Sequence, residues 1–271
     1  MENAQDMLKP EKIQRIIDSL DLGFSDFYKD ENVRQMTLMS DKLDMIQQAV
    51  ELITIEEAMN FSIFSSKGSE HPTAEIYAID FPSDLRASIY LLLGGYYRQA
   101  ILCLRNWLEI RLTGVYFGFI NQDRSQYEKW KSGKRRAPIG QALIRKLFSR
   151  AEFHKTDKKI GLRKRLRDLH KELSAFTHGA VLTRYDLQSQ TNNVPRFNPQ
   201  SVDLWFEFAS RVFRELVFCF FLAYGKDAFH VSIVERETLR RHLPNFYRKE
   251  LQKAGILPAK DAKRTKSKKS L

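Results

Sequence analysis

Between Lys158 and Gly179 the chain reads KKIGLRKRLRDLHKELSAFTHG, and this stretch decides the fold class. Leu162, Leu166, Leu169, Leu173 and Phe176 recur at spacings of 4, 3, 4 and 3. At 100° per residue they fall within about 80° of arc, a narrow apolar stripe suited to packing on partner helices. The spacing predicts one helix over Lys158–Thr177, closed by Gly179.

Outward from it, helical patterns dominate. Lys12–Leu20 reads as a short helix. Glu31 to about Ser62 reads as a longer one or a pair, with Met36, Met39, Leu43, Ile46, Val50 and Ile53 on one face. Gly68–Phe81 is a break, with Ile76–Ile79 a short strand at most. Ser83 suits an N-cap and Asp84 a first turn. The following helical pattern runs to about Ile120 and is interrupted at Gly94-Gly95. Trp130–Pro138 is a basic loop, with Pro138 at the first turn of a helix over Ile139–Arg150. Leu187–Pro199 is a polar loop. Ser201 caps a helix over Val202–Tyr224, which Gly225 stops. Ser232–Arg241 and Asn245–Lys253 are short amphipathic helices. The chain is expected to be all-α. Its expected parts are an acidic helical extension (1–66), a helical core (83–225), C-terminal helices packed on that core (226–256) and a disordered basic tail (257–271).

The 271 residues carry 45 Lys+Arg against 33 Asp+Glu, a net charge of +12. The charge is local. Glu128–Leu173 has a net charge of +11 and Pro258–Leu271 of +5, which leaves the rest at −4. The first block interleaves its cations with Trp130, Phe148 and Phe153, a pattern that can follow a phosphate backbone and stack bases. Lys131, Lys134, Arg135, Arg136, Arg145, Arg163, Lys164, Arg165 and Arg167 are its candidate nucleic-acid contacts. A solvated helix face plus a solubilising tail is the plain alternative.

No apolar leader is found among the first 30 residues, and the apolar stretches Leu91–Ile120 and Val202–Tyr224 each hold several charges. Buried helices of a cytoplasmic protein are expected, with no membrane partner. Cys103 and Cys219 lie inside those stretches and read as reduced core residues. Walker, dinucleotide-binding, zinc-protease and nucleophile-elbow motifs are missing, and no cofactor or metal is expected. His170 and His178 lie eight residues apart, about 80° around a helix, which disfavours a shared metal.

The end of the decisive stretch, Leu169-His-Lys-Glu-Leu-Ser-Ala-Phe-Thr-His-Gly179, resembles the R-N-x-x-x-H-G helix end of HEPN-like proteins. Arg105-Asn-Trp-Leu-Glu109 is similar to the R-x-x-L-E helix of bacterial HEPN-like proteins, and Trp130-Lys-Ser-Gly133 resembles their W-x-x-G connection. The resemblance spans roughly Asp84–Gly225. It implies an HEPN-like helical bundle that acts as a homodimer on RNA in a bacterial defence or toxin-type system, possible metal-independent endoribonuclease activity, and a protein partner encoded nearby. His178 takes the place of the motif histidine. The motif arginine's place holds Leu173, a departure that Lys171, Arg98 or Arg105 would have to make good with a cation. A second pair at R-x(4–6)-H spacing is Arg165 with His170. Arg236 with His242 also fits, although about one or two such matches arise by chance. A non-catalytic module that binds nucleic acid or protein is the alternative function.

Two charged faces remain. Arg98, Arg105 and Glu109 lie within about 40° of one another on their helix, and Glu207, Arg211 and Glu215 recur every four residues. Either the two faces meet in a semi-buried ion-pair network, or the first lines a cleft beside His178. For His178 itself, helix-end capping is the competing role.

Overall fold

A computed structural model describes residues 42–79, 83–177, 198–225 and 233–253. Among them there is no strand, so the all-α expectation holds. Eleven α-helices follow in order among the described residues: α1 (Leu43–Lys67), α2 (Pro72–Ile79), α3 (Ser83–Leu93), α4 (Tyr97–Val115), α5 (Arg124–Lys131), α6 (Gly140–Leu147), α7 (Ala151–Ile160), α8 (Leu162–Ala175), α9 (Pro199–Tyr224), α10 (Ile233–His242) and α11 (Asn245–Lys253). A π-helical turn, Tyr116–Ile120, extends α4. No described helix is long and apolar enough to cross a membrane.

The central element is α4, which packs against α2, α3, α6, α8 and α9. It can be central because Tyr97, Ala100, Ile101, Leu104, Trp107, Leu108 and Leu112 are all buried and share a broad apolar face of about 140° of arc. Several polar groups inside this core pair with one another. The Trp205 indole donates to Ser88 Oγ at 2.7 Å, and that hydroxyl donates to the Ala100 carbonyl at 2.6 Å. Arg111 is 1% exposed and ion-paired to the buried Glu56 of α1, with its guanidinium 4.1 Å from the centre of the Tyr77 ring. The Trp107 indole donates to the same Glu56 oxygen at 2.8 Å.

The leucine stripe behaves as its spacing requires: Leu162, Leu166, Leu169, Leu173 and Phe176 are all 2% exposed or less. The helix that carries it is shorter than expected. Gly161 sits at φ +62°, a left-handed conformation that ends α7 and starts α8 in one step. The Asp157 carboxylate accepts from the Arg163 amide at 2.8 Å and so satisfies an orphan donor of the new helix.

Other boundaries shift for similar local reasons. Residues 72–79 form helix α2 rather than a strand, with Pro72 at its first position. Gly94-Gly95 is a complete break between α3 and α4. Asp123 caps the short α5 by accepting from the Ser125 amide. The cap of α9 is Asn198, which accepts from the Ser201 amide at 2.9 Å, with Pro199 following it. Gly225 ends α9 as expected. Cys219 is buried and Cys103 half-buried, both reduced, and burial together with the nearby Asp84 charge pushes the Cys103 thiol up to about 11. The expected acidic extension before residue 42, His178, Gly179 and the basic tail lie outside the described residues.

Candidate nucleic-acid interface

Helix α8 carries two ionic clusters on two sides. Toward α4, His170 Nε2 lies 2.7 Å from Glu109 Oε1, and Arg105 donates to that same oxygen at 3.1 Å. The other imidazole nitrogen lies 3.5 Å from Ser174 Oγ. Burial alone would raise the Glu109 carboxyl, but the His170 hydrogen bond and the Arg105 charge overcome it and hold the group below its ordinary range. Toward α9, Arg211 grips Glu172 with both terminal nitrogens at 2.7 and 2.8 Å. Arg165 bonds Glu215 at 3.1 Å and the Tyr247 hydroxyl at 2.7 Å.

These contacts sort the candidate residues. The Arg98/Arg105/Glu109 face does not meet the Glu207/Arg211/Glu215 face. Helix α8 lies between them and gives each its own partners. Arg165 and His170 are five residues apart, about 140° around α8, so they reach opposite neighbours and form no catalytic pair. Arg98 donates to the carbonyls of Phe176 at 2.9 Å and Thr177 at 3.3 Å, and so caps the end of α8. Arg105 also reaches Thr177 Oγ1 at 3.5 Å. Lys171 is exposed. Cations from α4 therefore do gather at the end of the motif helix.

The basic block divides in the same way. Lys134, Arg135, Arg136 and Arg145 are exposed. Lys131 leans on Glu75 and Lys164 on Asp168, each at 3.3 Å, while the exposed Arg167 donates to Gln141 at 3.1 Å. Arg163 is half-buried. Arg165 is a structural cation committed to α9 and α11. Of the three expected stacking residues, Phe148 and Phe153 are buried against each other, with ring centres 5.6 Å apart. Half-buried Trp130 rests on Phe117 and Tyr127.

A groove of about 1050 Å³ runs between α4 and the loop that leads to α6. Asn106, Glu109, Ile110 and Thr113 line it from α4, and Asp84 joins them from α3. Their spacing of 3, 1 and 3 is one helix face. Across from them stand Trp130, Arg135, Arg136 and Ile139, the last 66% exposed. The loop is seated on the imidazole: Gly140 has φ +52°, and a Cβ there would lie 2.8 Å from His170 Cε1. No motif announces this groove in the sequence. The half-apolar run Trp130–Ile139 between charged helices is its only trace.

Among the described residues no group of three or more His, Cys, Asp and Glu could hold a metal ion. No family model, no curated protein and no solved structure matches the chain.

Proposed function

We propose that this chain is an HEPN-like protein that binds RNA in the groove between α4 and residues 132–139, acting as a homodimer in a bacterial defence or toxin-type system. The observation that carries the RNA reading is the seating of exposed Arg135 and Arg136 on the rim of a groove that also offers the Trp130 ring. Guanidiniums attract phosphates and release counterions, and an aromatic face accepts any base. The HEPN assignment, the dimer and the biological setting rest on the sequence resemblance. The test is a salt titration of RNA affinity. Binding is expected to weaken linearly in log–log form, and the Arg135→Ala/Arg136→Ala protein is expected to lose about two from the slope. Affinity that ignores salt would refute the reading.

Endoribonuclease action is the second reading, favoured by the meeting of Arg105, Glu109 and His170 on one carboxylate oxygen. Cleavage through the 2′-hydroxyl needs a group that takes its proton, a group that protonates the leaving 5′-oxygen, and a cation beside the phosphate. His170 takes the 2′-hydroxyl proton at Nδ1 and returns it from that atom to the leaving 5′-oxygen, Glu109 holds its ring at Nε2, and Arg105 is the cation. The 3.5 Å contact with Ser174 is the longer of the two imidazole contacts and the one that yields to substrate. Expression in cells is expected to arrest growth, and His170→Ala or Arg105→Ala to relieve the arrest. Toxicity that survives both substitutions would remove this site.

A further inference from the structure

We propose that the groove selects single-stranded RNA, with the backbone on the rim and a base inserted edge-on toward α4, and that it favours bases bearing an exocyclic amino group. This deepens the RNA reading above and depends on it.

The charge layout sets the orientation. Arg135 and Arg136 stand on the loop side, whereas the α3 and α4 side carries Asp84 and Glu109. A phosphate is drawn to the first and repelled by the second, so the polyanion stays at the rim and the uncharged end of each nucleotide points inward. The walls suit a flat apolar object: Ile110 on one side, Trp130 and Ile139 on the other. Duplex RNA keeps its bases paired and its major groove too narrow to read, so only an unpaired strand can deliver a base there.

The inner wall then sets the preference. Asn106 is exposed and lies one turn before Glu109 and Ile110 on the groove face of α4. Its amide offers an acceptor and two donors in one plane. That amide therefore pairs with either pyrimidine, and the preference comes from the flanking carboxylates of Asp84 and Glu109, which only accept: they welcome the amino groups of adenine and cytosine and repel the O4 carbonyl of uracil. A good side-chain-to-base-edge pair discriminates by roughly five- to 150-fold.

The test uses the full chain with fluorescent oligo(C), oligo(A) and oligo(U) of equal length, and a duplex of that length. Oligo(C) against oligo(U) is the decisive pair, because both are single-ring pyrimidines that differ at the 4-position, amino against carbonyl. Oligo(C) is expected to bind about tenfold tighter than oligo(U), and the duplex weakest of all. Glu109→Gln, which gives that wall a donor in place of an acceptor, is expected to narrow the gap between oligo(C) and oligo(U). Tryptophan emission gives a second readout. Trp107 and Trp205 are each 1% exposed, so quenching by bound RNA reports on Trp130. Equal affinity for oligo(C) and oligo(U), or a duplex bound as tightly as the single strands, overturns this inference and leaves the RNA reading standing. Binding to none of these probes overturns both.

Discussion

Two carboxylates pair α4 with its neighbours, and the two pairs differ chiefly in access to water. Arg111 with Glu56 of α1 is sealed, with side chains 1% and 6% exposed. Glu109 with His170 of α8 is 20% and 12% exposed. Positions 109 and 111 are two residues apart, so their side chains leave α4 about 200° apart. One enters the core and the other reaches the groove. The sealed pair holds helices together. The open pair keeps a titratable imidazole beside a space large enough for a ligand.

The largest expected effect tests the sealed pair. Glu56→Ala would strand the Arg111 charge inside the core, and a loss of about 3–5 kcal/mol is expected in chemical unfolding. A loss under about 1 kcal/mol would show that both pairs are peripheral.

Gly140→Ala comes next, at about 1–3 kcal/mol, because a side chain at φ +52° is strained and would press on the His170 ring. The NMR resonances of His170 are expected to move with it. A stable variant with unmoved His170 signals would disprove the seating of the loop.

Glu109→Gln is expected to cost no more than about 1 kcal/mol, since partly exposed ion pairs contribute little. Its signature is pH dependence. The Glu109 carboxyl is held below its ordinary range, so the folded state binds its proton less readily than the unfolded chain. That stabilisation is complete above the unfolded pKa and fades as pH falls through the folded one. Urea melts down through the carboxylate range are expected to bring wild type and Glu109→Gln together at the acid end. A gap that stays constant with pH would contradict the sign. The smallest stability effect, within about 0.5 kcal/mol, belongs to Arg135→Ala/Arg136→Ala, whose consequence is in salt-dependent RNA affinity.

Much of this was legible locally. The leucines of α8 announced a buried stripe, and Gly225 announced the end of α9, because both signals act within one or two turns. The end of α7 at Gly161 is equally local, since the apolar stripe begins only at Leu162 and the preceding Lys158 and Lys159 do not extend it. Partner choice was not legible. Nothing around Glu56 says that it meets Arg111, 55 residues on. Arg165 and His170 matched a catalytic spacing, yet a spacing cannot say which neighbours a helix will have on its two sides. The cluster of Arg105, Glu109 and His170 was half-visible, since each residue stood out separately while their meeting depends on how α4 and α8 cross.

Gly140 is a joint without clearance. Its backbone rejects most side chains by conformation, and the imidazole rejects even a methyl group by contact. A substitution at this joint is therefore felt first by the histidine that Glu109 holds, so the floor of the groove is set by a residue that has no side chain of its own.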